Sequence, residues 1–304
     1  MPCCSIWKRG NFYLIDLGSR NGSFINGRRV SIPVILHNGD HLTFGQSELE
    51  FCCPSHAPVA TDNSGSKEYT ATAALHVRSL ISVLVVDIRN FTVLARQMDE
   101  KILSELIGTW FRRAGDIIRE HGSWVDKYIG DAVMAVWIHG TQGVGHREML
   151  QILQALQSFH HMTSELCNLY PVPFQLRVGA GINTGYAMVG NTGSGDRPDY
   201  TALGDTVNEA FRLETITKQI SLDFALGETT YRLLSKLLGH HNIFQQHQVS
   251  LKGYESPMLT YAGSFEDLSS FIVNMLEFPC ASEWVELSQL ENLGTAKETE
   301  TYYS

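Results

Sequence analysis

The segment Ile81-Ser-Val-Leu-Val-Val86 is almost unbroken apolar sequence, and it ends on a carboxylate, Asp87. A run of this kind without alternation reads as a strand buried on both faces. A carboxylate at the end of a buried strand is costly unless it is paired. The chain therefore has to build a layered core around this strand and supply a partner for Asp87.

The sequence after Asp87 supplies the layers. Ile102, Leu103, Leu106, Ile107, Trp110, Phe111, Ala114, Ile117 and Ile118 recur at three- and four-residue steps, the period of an amphipathic helix. WVDKYIGDAVMAVW reads as a hairpin turning at Ile129-Gly130, with Asp131 just past the turn. A second helix is expected over 147–169, a second strand pair in QLRVGAGINTG and YAMVGN, and a further helix over about 205–217. A short strand at LDFAL and a closing hairpin ending in MLTYAG complete the pattern. The order β-α-β-β-α-β is ferredoxin-like, an α+β class in which helices cover one face of an antiparallel sheet.

Four stretches follow from composition. Residues 1–53 read as a small all-β unit, with FYLIDL, GSFI and ELEFCC as strands and Asn-Gly pairs at 21–22, 26–27 and 38–39 as turns. Residues 54–79 are rich in Pro, Ser, Thr, Ala and Gly and read as a linker, helical near its end. Residues 80–263 hold the layered core. Residues 264–304 read as an acidic tail in which SSFIVNML forms a short amphipathic helix.

The formal charge of −9 argues against nonspecific nucleic-acid binding, which needs clustered Lys and Arg. No apolar run reaches the ~20 residues that span a bilayer. The six cysteines form no C-x-x-C pair, so neither a zinc site nor a disulfide framework is expected. Reduced thiols and the absence of a signal-peptide layout at the N-terminus point to the cytoplasm.

VVDIRNFT, VDKYIGDAV, DYTALGD and TVNEAFR together resemble the catalytic domain of the class III nucleotidyl cyclases over roughly residues 80–263. The resemblance implies a phosphorus–oxygen lyase converting ATP to cyclic AMP and pyrophosphate. It implies two Mg²⁺ or Mn²⁺ ions per site, held by Asp87, Asp131 and the carbonyl of Ile88, with the loop through Phe91 and Thr92 offering backbone N–H groups to the triphosphate. Two carboxylates plus phosphate and water suit Mg²⁺, and a cation between them relieves their mutual repulsion. Singly, Asp87 could cap a helix and Asp131 serve the turn. Asp87 is also a candidate general base.

Lys127 and Thr201 are implied to read the base. An ammonium donates only and a hydroxyl can accept, which fits the N1 acceptor and 6-amino donor of adenine. Asn208 and Arg212, four apart on one helix face, are implied to position the ribose and neutralise the α-phosphate. Lys252 is a looser candidate for the triphosphate. The family builds each site from opposite subunits, so a head-to-tail homodimer is implied. Thr201 resembles the subgroup, cyanobacterial in type, that responds to bicarbonate or CO₂.

DLGSRNGSFINGRRV and LHNGDHLTFG are similar to the second half of a forkhead-associated domain. That family's first half, with its Ser-Arg-x-His phosphate loop, would lie upstream of Met1. Of the peptide-facing residues Asn21 and Arg20 remain, so phosphothreonine binding is not expected to survive. The alternatives to an adenylate cyclase are a guanylate cyclase and a phosphopeptide-binding adaptor with an inactive cyclase domain.

Overall fold

A computed structural model describes residues 3–8, 11–16, 23–30, 34–45, 47–53, 76–123, 125–139, 143–191, 200–238, 244–250, 257–277 and 284–285. The chain divides into two compact units, residues 1–78 with 188–202 and residues 79–187 with 203–304. Among the described residues no helix is long and apolar enough to cross a membrane.

The first unit holds strands β1 (Cys3–Lys8), β2 (Asn11–Asp16), β3 (Ser23–Ile25), β4 (Arg28–Arg29), β5 (Val34–Leu36), β6 (Asp40–Phe44) and β7 (Ser47–Phe51). They form two sheets, ordered β1-β2-β5 and β4-β3-β6-β7. Leu14 and Leu36 from one sheet and Ile25 and Leu42 from the other share a core with Val30, as in a sandwich. The β3–β4 turn uses Asn26 and Gly27 at φ 49° and 76°, as the Asn-Gly signal requires. Asp40 accepts from Asn26 Nδ2 (2.8 Å) and from the His37 amide (2.7 Å), tying two turns together. Arg20 and Asn21 lie outside the described residues.

The remaining elements are β8 (His76–Ile88), α1 (Phe91–Gln97), α2 (Glu100–Glu120), β9 (Val125–Ile129), β10 (Ala132–Ile138), β11 (Val144–Gly145), α3 (His146–Leu169), β12 (Val178–Asn191), β13 (Tyr200–Leu203), α4 (Asp205–Ile220), β14 (Phe224–Gly227), α5 (Glu228–Leu238), β15 (Gln245–Val249), β16 (Met258–Gly263), α6 (Phe265–Glu277) and β17 (Trp284–Val285). Their main sheet runs β15-β16-β14-β12-β8-β10-β9, with β13 pairing β12.

Strand β8 explains the apolar run. Leu80, Leu84, Val86 and Ile88 enter a core shared with Leu106, Trp110 and Ile118 of α2 and Ile152, Leu156 and Phe159 of α3. The alternate residues Ile81, Val83 and Val85 point to the opposite face and are equally buried. Asp99 caps α2, accepting from the Lys101 and Ile102 amides at 3.0 and 3.2 Å.

The structure departs from the sequence reading in several places, among them a helix that reading lacked, α5, and a loop at Phe91–Thr92 that is instead the first turn of α1. QLRVGAGINTG and YAMVGN are one continuous strand, β12, not a pair. The end of the 54–79 segment is strand, since β8 begins at His76. The helix expected in the tail is α6, and it is no appendage: Leu268, Phe271, Ile272 and Met275 lie in the main core. Finally, the helices do not all share one face.

Helix α4 packs on the other face, over the glycines of β12. A Cβ on Gly181 would collide with the Ala210 carbonyl, the Glu214 amide nitrogen and Leu213 Cβ of α4. Leu213 in turn packs with Ala225 of β14 and Ala262 of β16. Backbone atoms of a packed helix cannot yield as a side chain can. Gly181→Ala should therefore cost about 1–3 kcal/mol, the usual penalty for overpacking, read as a lower midpoint in thermal or urea unfolding.

Candidate active site

Asp87 is the last residue of β8 paired with β10, opposite Ala132. Gly130, at φ 65°, makes the β9–β10 turn possible, and Asp131 is the turn's second residue, next to Ala132. Register alone thus brings the two carboxylates together. Burial, and then the neighbouring Asp87 charge, raise the Asp131 pKa above the ordinary carboxylate value. Asp87 Oδ1 is buried with no hydrogen-bond partner.

The other side of the site comes from the C-terminal half of α4. Lys218 Nζ lies 2.6 Å from Asp87 Oδ2 and 3.2 Å from Glu214 Oε1. Glu214 is raised above its usual pKa by burial and then by Asp87. Burial works against the charge on Lys218, but its bond to Asp87 and its pairing with Glu214 outweigh that, and its pKa is raised.

Arg89 holds the two halves in place. Its guanidinium crosses β12 at Gly179, where a Cβ would lie 2.5 Å from Cζ. Nη2 donates to Thr217 Oγ1 (2.6 Å) and to the Leu222 carbonyl (3.0 Å) of the α4 end. Burial lowers the Arg89 pKa from its ordinary value. Asn90, left-handed at φ 57°, then stands at the N-cap position of α1 without a side-chain capping bond and turns the chain. Phe91 packs partly against the core and Thr92 is exposed.

The beginning of α4 is pinned separately. Thr206 Oγ1 donates to the Tyr186 carbonyl (2.8 Å), while Asn183 Nδ2 donates to the Thr206 carbonyl (3.1 Å) and Glu209 Oε2 (2.8 Å). Asn208 is exposed and Arg212 half-buried on this stretch.

Of the residues singled out by sequence, Asp87 and Asp131 converge. Ile88 is buried in the core, so only its backbone can serve the site. Lys127 stands opposite Met134, which stands opposite Val85, so Lys127 shares the Asp87 face two strands away, about 10 Å across. Thr201 is buried on β13, and its hydroxyl has only a 3.5 Å contact to the Ala202 carbonyl. Asn208 and Arg212 do not join Asp87. Arg212 sits about 9 Å back along the α4 axis from Lys218 and about 120° round it. Lys252 lies outside the described residues.

Lys218 and Glu214 were not assigned to the site from sequence. Their one signal was the i,i+4 spacing of an acid and a base, which says nothing of a carboxylate 131 residues away.

The acid pair fits a divalent cation: an orphaned buried oxygen on Asp87 beside a carboxyl that resists ionising. Among the described residues no group of three or more His, Cys, Asp or Glu is placed to hold a metal ion. Such a cation would therefore complete its shell with water or substrate oxygens.

Comparisons with known proteins agree with this architecture. Residues 76–263 match the family model for the adenylate and guanylate cyclase catalytic domain, and residues 4–45 match that for the FHA domain. An adenylate cyclase of the cyanobacterium Anabaena cylindrica is 32% identical over 155 residues, 51% of this chain and 31% of that protein. The chain spans between 8% and 31% of the length of the first three curated relatives it matches. The crystal structure of the adenylyl cyclase CyaB from P. aeruginosa superposes with a TM-score of 0.53 at 25% identity, covering 62% of this chain and 95% of that one. The guanylyl cyclase Cya2 shares the fold, with a TM-score of 0.50 at 22% identity over 62% of this chain and 94% of its own. With the family model covering well over half its length, and a sheet that places paired carboxylates at the end of a buried strand, this chain belongs to the family of adenylate and guanylate cyclase catalytic domains.

Proposed function

We propose that the chain is an adenylate cyclase that converts ATP to 3′,5′-cyclic AMP and pyrophosphate, acting as a head-to-tail homodimer inside the cell. The observation that carries this reading is the Asp87–Asp131 pair, whose buried, unpartnered oxygen and raised carboxyl call for a cation. Asp87, Asp131 and the Ile88 carbonyl would hold two Mg²⁺ or Mn²⁺ ions. Bound there, the metals would stabilise the attacking and leaving oxygens of phosphoryl transfer.

The chain's own residues do the rest. Backbone N–H groups of Phe91 and Thr92, at the start of α1, with Lys252, hold the triphosphate. Lys127 donates to adenine N1, and the Thr201 hydroxyl accepts from the 6-amino group. Asn208 positions the ribose so that its 3′-oxygen faces the α-phosphorus. As that O–P bond forms and the bond to pyrophosphate breaks, Arg212 neutralises the charge on the α-phosphate. Asp87 is the candidate acceptor for the 3′-hydroxyl proton.

Within one chain Asp87 meets α4 through Lys218, while Asn208 and Arg212 sit elsewhere on that helix. That separation supports a site completed by a second copy. We also read residues 80–263 as the catalytic domain and residues 1–53, joined through 54–79, as a forkhead-associated unit that adjusts it.

The direct test incubates the purified protein with ATP or GTP and Mn²⁺ and measures both cyclic products. Cyclic AMP in clear excess is expected, and predominant cyclic GMP would overturn the adenine assignment. Thr201 further supports stimulation by inorganic carbon. Cyclic AMP formation should rise with added bicarbonate at constant pH, and a flat titration would remove bicarbonate as a partner.

A further inference from the structure

Asp87 already faces a cation that belongs to the chain itself. Lys218 Nζ sits 2.6 Å from Asp87 Oδ2, on the carboxylate whose other oxygen is buried without a partner. The carboxylates are fixed and the ammonium is not: the Asp87 and Glu214 side chains are 13% and 6% exposed, that of Lys218 45%. Asp87 lies within electrostatic reach of two further acids, Asp131 on one side and Glu214 on the other. Against them stand Lys218 and Arg89, and Arg89 is tied to Thr217 and the Leu222 carbonyl. Lys218, on a flexible four-carbon stem, is the cation that can move.

A divalent ion shared by Asp87 and Asp131 would come within a few ångströms of that ammonium, where like charges in a half-buried site repel strongly. The fold gives Lys218 a second partner, since Glu214 lies one helical turn earlier, 3.2 Å away, with its Oε1 lacking any hydrogen bond.

We propose that Lys218 is a resident counter-ion of the metal site. It neutralises Asp87 while no metal is bound, and it must shift to Glu214 before a cation can bind Asp87. Lys218 therefore keeps the acid cluster compatible with folding in the metal-free protein and weakens the site's affinity for free cations. This inference rests on Asp87 and Asp131 being the cation site.

Mn²⁺ binding to the full chain without nucleotide, followed by the electron paramagnetic resonance of the free ion, tests it. Lys218→Gln should bind Mn²⁺ at least about tenfold more tightly than wild type, because one repelling charge is gone. Lys218→Arg, which keeps the charge, should stay within about threefold of wild type. Equal or weaker binding by Lys218→Gln would overturn the proposal. Should Lys218→Gln not fold, Glu214→Gln/Lys218→Gln is compared with Glu214→Gln, and the same tightening is required. Asp87→Ala, measured alongside, should lose the site. Wild-type Mn²⁺ binding by that variant would refute the metal assignment itself, a failure distinct from that of Lys218.

Discussion

Asp87→Ala and Arg212→Ala proteins should each turn over ATP about 10²–10³-fold more slowly than wild type, the usual cost of losing one preorganised charge at a phosphoryl-transfer site. Mixed in equal amounts and allowed to exchange, they should recover about a quarter of wild-type activity: half the dimers are mixed, and each mixed dimer has one intact site of two. The geometry gives this rescue its meaning. On α4 the residue that reaches Asp87 is Lys218, which also pairs with Glu214, and Arg212 is about 120° from Lys218 round the helix. Asp87→Ala should remain folded, since Lys218 keeps Glu214 and Asp131 loses a repelling neighbour. Midpoints of thermal unfolding verify this before the mixture is assayed. Absence of rescue between subunits shown to exchange would mean that the site is completed within one chain.

Lys127→Glu/Thr201→Cys should erase the preference for ATP over GTP, which we expect to lie on the order of 10²–10⁴ because the wrong base leaves buried hydrogen-bonding groups unmatched. Guanine presents a donor at N1 and an acceptor at position 6, so a carboxylate in place of the ammonium reverses the reading. The sheet places Lys127 on the Asp87 face, two strands over. The Thr201 hydroxyl is buried, and its 3.5 Å contact to Ala202 is at the outer limit of a hydrogen bond, so it keeps its capacity for a ligand. The ratio of kcat/KM for the two nucleotides in wild type and variant decides the matter. An unchanged ratio would show that these side chains do not read the base.

The helical period from Ile102 to Ile118 was plain in the sequence, and it is α2, with Leu106 and Trp110 fully buried. The hairpin at Ile129-Gly130 was equally plain, because only a turn residue such as glycine takes φ near 65° freely. Both signals are local, repeating within one or two turns of chain. The motifs around Asp87, Asp131, Asn208 and Arg212 also stood in contiguous words, which is why the family was legible.

Other features were not. Gly179 and Gly181 read as part of one strand of a pair, whereas tertiary packing makes them the floor on which Arg89 and α4 lie. The stretch after Ser264 looked like a tail because its acidic residues mask a stripe of Phe265, Leu268, Phe271, Ile272 and Met275, which become core only against the rest of the fold. The partner of Asp87 lay furthest out of reach, since Lys218 is 131 residues away in sequence. Local periodicity therefore determined the buried strand and the long helices α2 and α3, and the resemblance of contiguous motifs to the family marked the acids. Which face α4 covers and which cation waits beside Asp87 were decided by the tertiary structure, because packing and Coulomb interactions depend on distance through space and not along the chain.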